Sequence, residues 1–228
     1  MGRIAKPLPT SFSALDSFET CPLKHYLTRV SKEVPDPPGE AIQWGNTVHK
    51  ALEKYLRDDT ALPKSVAPYQ KYADQIKRQA DETGANLLVE NQLCVDEAFQ
   101  PTGWWDKDGW FRGVIDVALL EPTSARVFDW KTGKQKDNFD QLEMFAALIT
   151  SHYPEVETIH SAFVWLQPRK LTKKTFAQEA ARRFWAKLTP RVDRLREAFE
   201  TDKWPARPSG LCKNWCPVGS KNCSHCGV

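Results

Sequence analysis

Ten residues from Phe111 to Leu120, apolar except at Arg112, Gly113 and Asp116, are followed after Glu121-Pro122-Thr123-Ser124 by a second apolar run, Ala125 to Lys131. Runs of this length bounded by turn residues read as short buried strands, and the intervening turn suits a hairpin. Side chains alternate along a strand, so Asp129 and Lys131 are expected on one face and Trp130 on the other. Asp116 then lies on the neighbouring strand within reach of both. Two carboxylates and an ammonium on one patch of sheet can hold a hard divalent cation through oxygen and orient or deprotonate a water against a phosphate. A bare D-x-K also arises as a surface ion pair of little consequence. Here, however, both acids close apolar runs.

Further residues extend the pattern. Gly45-Asn46-Thr47-Val48-His49 lies upstream, Gln141-Leu142-Glu143-Met144-Phe145 lies downstream, and cysteines sit near both ends. The order G-[apolar]-I-D, [apolar]-D-W-K-T-G, then Q-x-x-x-F resembles the PD-(D/E)XK nuclease superfamily. Within it, G-x-x-x-H and the terminal cysteines resemble the RecB-like branch of recombination, CRISPR-adaptation and phage nucleases. The resemblance runs from Ser11 to Cys223. It implies an α/β fold, a central mixed sheet flanked by helices in a restriction-endonuclease-like core. It also implies Mg²⁺ or Mn²⁺ on Asp116, Asp129 and the Trp130 carbonyl, with His49 completing or supporting the site, Lys131 activating water, and Gln141 positioning substrate. Phe145 stands where the family has tyrosine, so its role as a polar ligand does not carry over. The expected activity is a metal-dependent deoxyribonuclease, an exonuclease on single-stranded DNA or DNA ends. A partner-dependent or non-catalytic DNA-end-binding module, and a zinc-organised interaction protein, are the other readings.

The chain is expected to form one nuclease domain with its core at about 40–176, and residues 11–30 and 200–226 forming a terminal metal-cluster region. With 41% hydrophobic and 27% charged residues the composition is that of a globular protein. No apolar run approaches membrane-spanning length and no signal-peptide core is present, so the expected location is cytoplasmic. The formal net charge is only +3, but Arg182, Arg183, Lys187, Arg191, Arg194 and Arg196 crowd one segment behind Arg169, Lys170, Lys173 and Lys174. Such a cluster suits a nucleic-acid backbone and equally a solvated helix face. The phosphate-cradling G-x-x-x-x-G-K-[ST] is missing, which excludes a helicase motor on this chain. Small size without a motor suggests, by analogy, a phage or mobile-element protein with a recombination or replication partner.

Ser11 to Glu19 predicts a capped helix, broken at Cys21-Pro22 and resumed from Leu23 to Arg29. Ala41, Trp44, Val48, Ala51, Leu52 and Tyr55 mark one face of a third helix, with His49 about 100° from Val48 and beside that core face. Alone, such a histidine reads as a hydrogen-bonded core residue. Residues 66–83 predict a polar helix ended by Gly84, and Leu87 to Val95 a strand containing Glu90, a candidate accessory acid. Trp104, Trp105 and Trp110 flank a turn at Asp108-Gly109, where they suit either base stacking or cross-strand packing. Asp137 to Ser151 predicts a helix, Val156 to Leu166 and Lys170 to Phe176 two strands, and Ala177 to Glu200 a basic helix bent at Pro190.

Of six cysteines, Cys212, Cys216, Cys223 and Cys226 fall within one short stretch, which points to metal rather than disulfides. The resemblance implies a [4Fe–4S] cluster on Cys21, Cys212, Cys216 and Cys223. A zinc site on Cys212, Cys216, Cys223 and Cys226 is the alternative. Cys94 is expected to be a buried small hydrophobe.

Overall fold

The computed structural model describes residues 9–135 and 139–226. In chain order it contains β1 (Thr10–Ser11), α1 (Phe12–Thr20), α2 (Pro22–His25) with a π-helical extension (Tyr26–Val30), α3 (Glu40–Asp58) and α4 (Gln70–Thr83). These are followed by β2 (Asn86–Val95), β3 (Pro101–Thr102), β4 (Phe111–Leu120), β5 (Ser124–Lys131), α5 (Asp140–His152), β6 (Thr158–Trp165), β7 (Lys170–Ala177), α6 (Gln178–Thr201) and α7 (Gly219–Asn222). Two compact units result, Pro38–Ala186 and a second made of the residues up to Pro37 together with those from Lys187 onward.

The larger unit is built on a sheet ordered β3-β2-β4-β5-β6-β7. β5 and β6 pair in parallel and the other ladders of that path are antiparallel, which makes the sheet mixed as expected. A parallel pair needs a crossover, and α5 supplies it. α3 and α4 cover one face. Val48, Leu52 and Leu56 of α3 and Ala73, Ile76 and Ala80 of α4 form one core with Val117, Leu119, Trp130, Val164 and Leu166 of the sheet region. Trp130 therefore points away from the Asp129 and Lys131 side chains, as strand alternation requires. α4 stops where Gly84 takes φ +66°, a left-handed C-cap that glycine adopts without strain.

The predicted elements reappear with shifts of a few residues, and Cys94 is buried. α5 is described from Asp140, so the expected start at Asp137 lies outside the described residues. β3 was not anticipated: two residues that pair with Cys94 and Val95 carry no periodicity to read. α6 stays helical on both sides of Pro190. Among the described residues no helix is long and apolar enough to cross a membrane.

In the smaller unit, Ser11 caps α1 by accepting from the Ala14 N–H at 3.4 Å. Its aromatic core stacks Trp204 on Tyr26 and His25, with Phe18 and Phe199 edge-on to the indole. Burial pushes His25 down to about 4, aided by the neighbouring Arg29 charge, so it is neutral there. Arg191 makes a bidentate pair with Glu19 at 2.8 and 2.7 Å. Part of the basic segment is thus engaged within the protein.

Candidate active site

The antiparallel ladder between β4 and β5 runs from Leu120↔Ala125 to Val117↔Phe128 and ends there. One step further along, Asp116 accepts the Trp130 backbone N–H through Oδ2 at 2.8 Å. A side-chain carboxylate thus takes the place of a backbone carbonyl where the strands part. The opening is made by the fold and lined by an acid.

On the other side of β4 a second irregularity faces the same residue. β2 and β4 keep one register throughout, with Val89↔Val117 and Asn91↔Ile115, which places Glu90 opposite Asp116. Glu90 has φ +47°, the left-handed region that a residue with a Cβ avoids unless held there. The face of β4 changes across this point. A Cβ on Gly113 would lie 2.8 Å from Leu148 Cδ1 of α5, whereas Val117 and Leu119 pack with α3 and α4. The kink re-aims the two strands so that both acids face one opening, the use to which strand irregularities near sites are commonly put.

α3 brings His49 to the same place. Its Nε2 donates to the Trp130 carbonyl at 2.9 Å and its Nδ1 lies 3.3 Å from Asp116 Oδ1. Burial works against the imidazolium, but the hydrogen bond and charge of Asp116 and the charge of Asp129 outweigh it and push His49 up to about 9. Gly45, one turn earlier, lets the helix approach, since a Cβ there would lie 3.3 Å from Thr132 Oγ1. The ligand atoms of His49, Glu90 and Asp116 lie within 4.8 Å of one another. They open onto a cleft of about 510 Å³ also lined by Lys50, Glu53 and Thr132. Burial, then the Asp116 charge, pushes Glu90 up to about 7.

Asp129 is 3% exposed. Burial raises it to about 6 against the opposing charge of Lys131. Its Oδ2 pairs with Lys131 Nζ at 2.5 Å, and its Oδ1 accepts from Gln141 Nε2 at 3.1 Å. Gln141 Oε1 in turn accepts from Lys131 Nζ at 3.0 Å. One amide from α5 therefore fixes both charged residues of the D-x-K, and the ammonium also rests 5.0 Å from the Phe163 ring centre. Phe145, in the family's tyrosine position, is buried in the core at 1% exposure.

Comparison with known proteins gives the family. The sequence profile of the PD-(D/E)XK nuclease superfamily matches residues 9–226. The chain belongs to that superfamily. Among solved structures, this nuclease-superfamily chain is similar to a Eubacterium rectale protein named "Putative exonuclease", with 12% identity, coverage of 94% of this chain and 89% of that one, and TM-score 0.54. It is also similar to the protein SSO0001, with 13% identity, coverage of 96% and 87%, and TM-score 0.44. At 12% identity the likeness to the Eubacterium rectale protein concerns the fold alone. A search of curated proteins gave no significant match.

The residues singled out around the D-x-K fall into two neighbouring groups. His49 and Asp116 gather with Glu90 at the cleft, whereas Asp129, Lys131 and Gln141 form their own network, and none of these three lines that cleft or joins that group of ligand atoms. The only sequence signal of Glu90 is an acid inside an otherwise strand-like run, and its partner becomes visible only from the register. Of the six cysteines, Cys94 is buried in β2. In the smaller unit Cys21, Cys212, Cys216, Cys223 and Cys226 line one small cavity with His225. Cys21 Sγ accepts from the Arg207 N–H at 3.4 Å and Cys212 Sγ from the Ser209 N–H at 3.3 Å. Burial, followed by hydrogen bonding to Cys216 and Cys223, pushes the Cys226 thiol up to about 12. Leu27, Val34 and Val218 complete a small apolar cluster around these sulfurs.

The tryptophans separate into two kinds. Trp110 is a core residue packed on Phe99, Phe111 and Trp185. Trp104 and Trp105 remain outside it.

Proposed function

We propose that this nuclease-superfamily protein is a metal-dependent deoxyribonuclease that removes nucleotides from single-stranded DNA or DNA ends. The observation that carries the reading is the gathering of His49, Glu90 and Asp116, whose ligand atoms lie within 4.8 Å of one another at one cleft, beside the network of Asp129, Lys131 and Gln141. The donor set fits a hard divalent cation: Asp116 and Asp129 offer carboxylate oxygens, Trp130 a carbonyl oxygen, and His49 an imidazole. A positive imidazolium already lies between the Asp116 carboxylate and the Trp130 carbonyl. When bound, Mg²⁺ or Mn²⁺ supplies positive charge to the phosphate and acidifies a water.

The chain's own residues do the rest. Lys131, held by Asp129 and Gln141, directs an ammonium donor at the attacking water and at the phosphate oxygens. Its proton can be shared with Asp129, whose carboxyl is raised by burial. His49 would hold a cation only as the neutral imidazole, so its proton would leave to solvent on binding. Glu90, raised to about 7, is placed to carry a proton at the cleft or to add a third carboxylate.

The smaller unit is proposed to hold a [4Fe–4S] cluster on Cys21, Cys212, Cys216 and Cys223. Two observations support this. The early cysteine joins the late ones at one cavity, and N–H groups point at the sulfurs of Cys21 and Cys212. Cys226 is the buried one of the five, at 2% exposure, packed with Leu27, Val34 and Val218, as suits a cysteine outside the ligand set.

The test is degradation of end-labelled single-stranded and duplex DNA with Mg²⁺, Mn²⁺ or EDTA. Wild type is expected to cut only with metal, releasing labelled mononucleotides first, and Asp116→Asn and Lys131→Ala are expected to be silent while folded. Cutting that survives both substitutions overturns the site. DNA binding without cutting by wild type favours the partner-dependent reading.

A further inference from the structure

We propose that Trp104, Trp105 and Arg112 form a stacking platform for an unpaired base of the DNA strand whose phosphate enters the Asp116 opening. The proposal rests on the nuclease reading above and adds what makes the substrate single-stranded. The loop between β3 and β4 holds three tryptophans, and the fold uses only Trp110, which is 4% exposed. Trp105 is 80% exposed, a large apolar ring left in water that no packing explains.

The two outer rings are not loose. They meet edge to face at 6.4 Å and 89°, and the Arg112 guanidinium lies 4.7 Å from the Trp104 ring centre and 5.5 Å from that of Trp105. Arg112 also donates to the Trp104 carbonyl at 3.4 Å. The turn beneath is fixed by Asp106, which accepts from the Gly103 N–H at 2.7 Å and from Thr102 Oγ1 at 2.9 Å. Gly103 is required for that closure, because a Cβ would fall 2.8 Å from the Asp106 carboxylate. The result is a preorganised aromatic surface with a positive charge against it, the combination that accepts a base face and its neighbouring phosphate.

The location selects the occupant. β4 and β5 are antiparallel, so the start of β4 lies at the same end of the sheet as Lys131. Arg112 precedes Asp116 by four residues on one strand, about 14 Å at the usual rise. A DNA strand with its phosphate at Asp116 therefore reaches the platform within a few nucleotides. A paired base has both faces covered by neighbours, and an unpaired one has a face to give, so the platform favours single strands or frayed ends.

The experiment uses a fluorescently labelled oligothymidylate and a blunt duplex of equal length, with binding measured in the Lys131→Ala background so that nothing is cut. Adding Trp105→Ala is expected to weaken oligothymidylate binding about 5- to 100-fold, the range for one base-stacking contact, and to leave duplex binding within about two-fold. Trp105→Phe should recover most of the loss, and Arg112→Gln should give a smaller loss. With Lys131 restored, Trp105→Ala should raise KM for oligothymidylate while hydrolysis of bis(p-nitrophenyl) phosphate, too small to span the distance, is unchanged. An oligothymidylate affinity unmoved by Trp105→Ala, or equal losses on both DNAs, overturns the platform. If Lys131→Ala still cuts, the active-site reading falls, and the binding measurement judges the platform independently.

Discussion

The opening beside Asp116 and the cysteine cavity are both candidate metal sites, and they are built in opposite ways. In the first, Asp116, Asp129, Lys131 and Gln141 come from β4, β5 and α5, and each already has a protein partner. The sheet ladders and a large apolar core hold them without help from an ion. In the second, five thiols crowd a small cavity whose apolar support is Leu27, Val34 and Val218. Between Cys212 and Cys226 regular structure amounts to the four-residue α7. So little buried surface contributes little stability, and small cysteine-rich units obtain the rest from metal. The residues of the sheet site are held in place by the fold itself, whereas the residues around the cysteine cavity have little besides the proposed metal to order them.

The largest expected effect tests that contrast directly. Removing the proposed cluster by chelation, or substituting Cys21→Ser or Cys212→Ser, should abolish amide protection in α7 and weaken it in α2. In the same hydrogen-exchange experiment α1, held by its aromatic packing and the Glu19–Arg191 pair, and β2, β4 and β5 should stay protected. Visible absorbance and iron content should vanish together. If Cys21→Ser leaves the metal in place and the metal is zinc, the ligands are the four late cysteines and the cluster assignment falls.

The converse perturbation strikes the core under the sheet site. Trp130 is among the largest fully buried side chains, and its backbone serves both Asp116 and His49. Trp130→Ala should cost about 3–5 kcal/mol in denaturant unfolding of the larger unit. On the proposed cluster, iron content should be unchanged, since the cavity-lining cysteines belong to the other compact unit. Equal loss of both regions would show that one cooperative core serves them.

A smaller effect comes from pH. In the metal-free protein His49 is raised to about 9 from its ordinary 6.5, so the folded state binds that proton more tightly than the unfolded chain. Its stabilising contribution is fully present below pH 6.5 and lost as pH rises through 9. Asp129, raised by burial to about 6, and Glu90, raised by burial to about 7, favour the fold most below their ordinary values and lose that effect as pH rises through 6 and 7, so the upper part of the histidine window is left to His49. The melting temperature should therefore fall by a few degrees between about pH 7 and 9. His49→Gln should flatten the curve there, and so should saturating Mn²⁺, which replaces the proton. A slope that survives there in His49→Gln would place the titrating group elsewhere.

How much of this was legible in the sequence follows the same division. Asp129, Trp130 and Lys131 could be assigned to faces because alternation along one strand is a local property, and helical periodicity set His49 beside the core face of α3, whereas the roles of His49 and Gln141 came from the resemblance to the nuclease superfamily. The pairing of Glu90 with Asp116 was not legible, since it depends on the β2–β4 register and on a left-handed residue that nothing local demands. Nor was the point at which β4 and β5 part, because strand ends are set by what packs around them. Trp104, Trp105 and Trp110 look alike in sequence, and only Phe99 and Trp185, brought from elsewhere, tell the core ring from the outer pair. Cysteine spacing announced a metal, yet five thiols at one cavity still admit more than one set of four.

The finest test of the sheet site is a single methyl group. Gly45 lies inside α3, where alanine is the better helix former by about 0.5–1 kcal/mol. Against that gain, the added Cβ meets Thr132 Oγ1 at 3.3 Å, so either the threonine or the helix must give by a few tenths of an ångström. His49 is one turn further on, and its two contacts at 2.9 and 3.3 Å have little slack. Gly45→Ala should therefore leave thermal stability unchanged or slightly higher while lowering cleavage several-fold, because the imidazole is displaced from Asp116 and the Trp130 carbonyl. Adding Thr132→Ser, which keeps the hydroxyl and removes a methyl, should restore part of the rate by letting that side chain rotate away. If Gly45→Ala is as active as wild type, the close approach of α3 to the end of β5 is a packing detail and His49 is positioned by its hydrogen bonds alone.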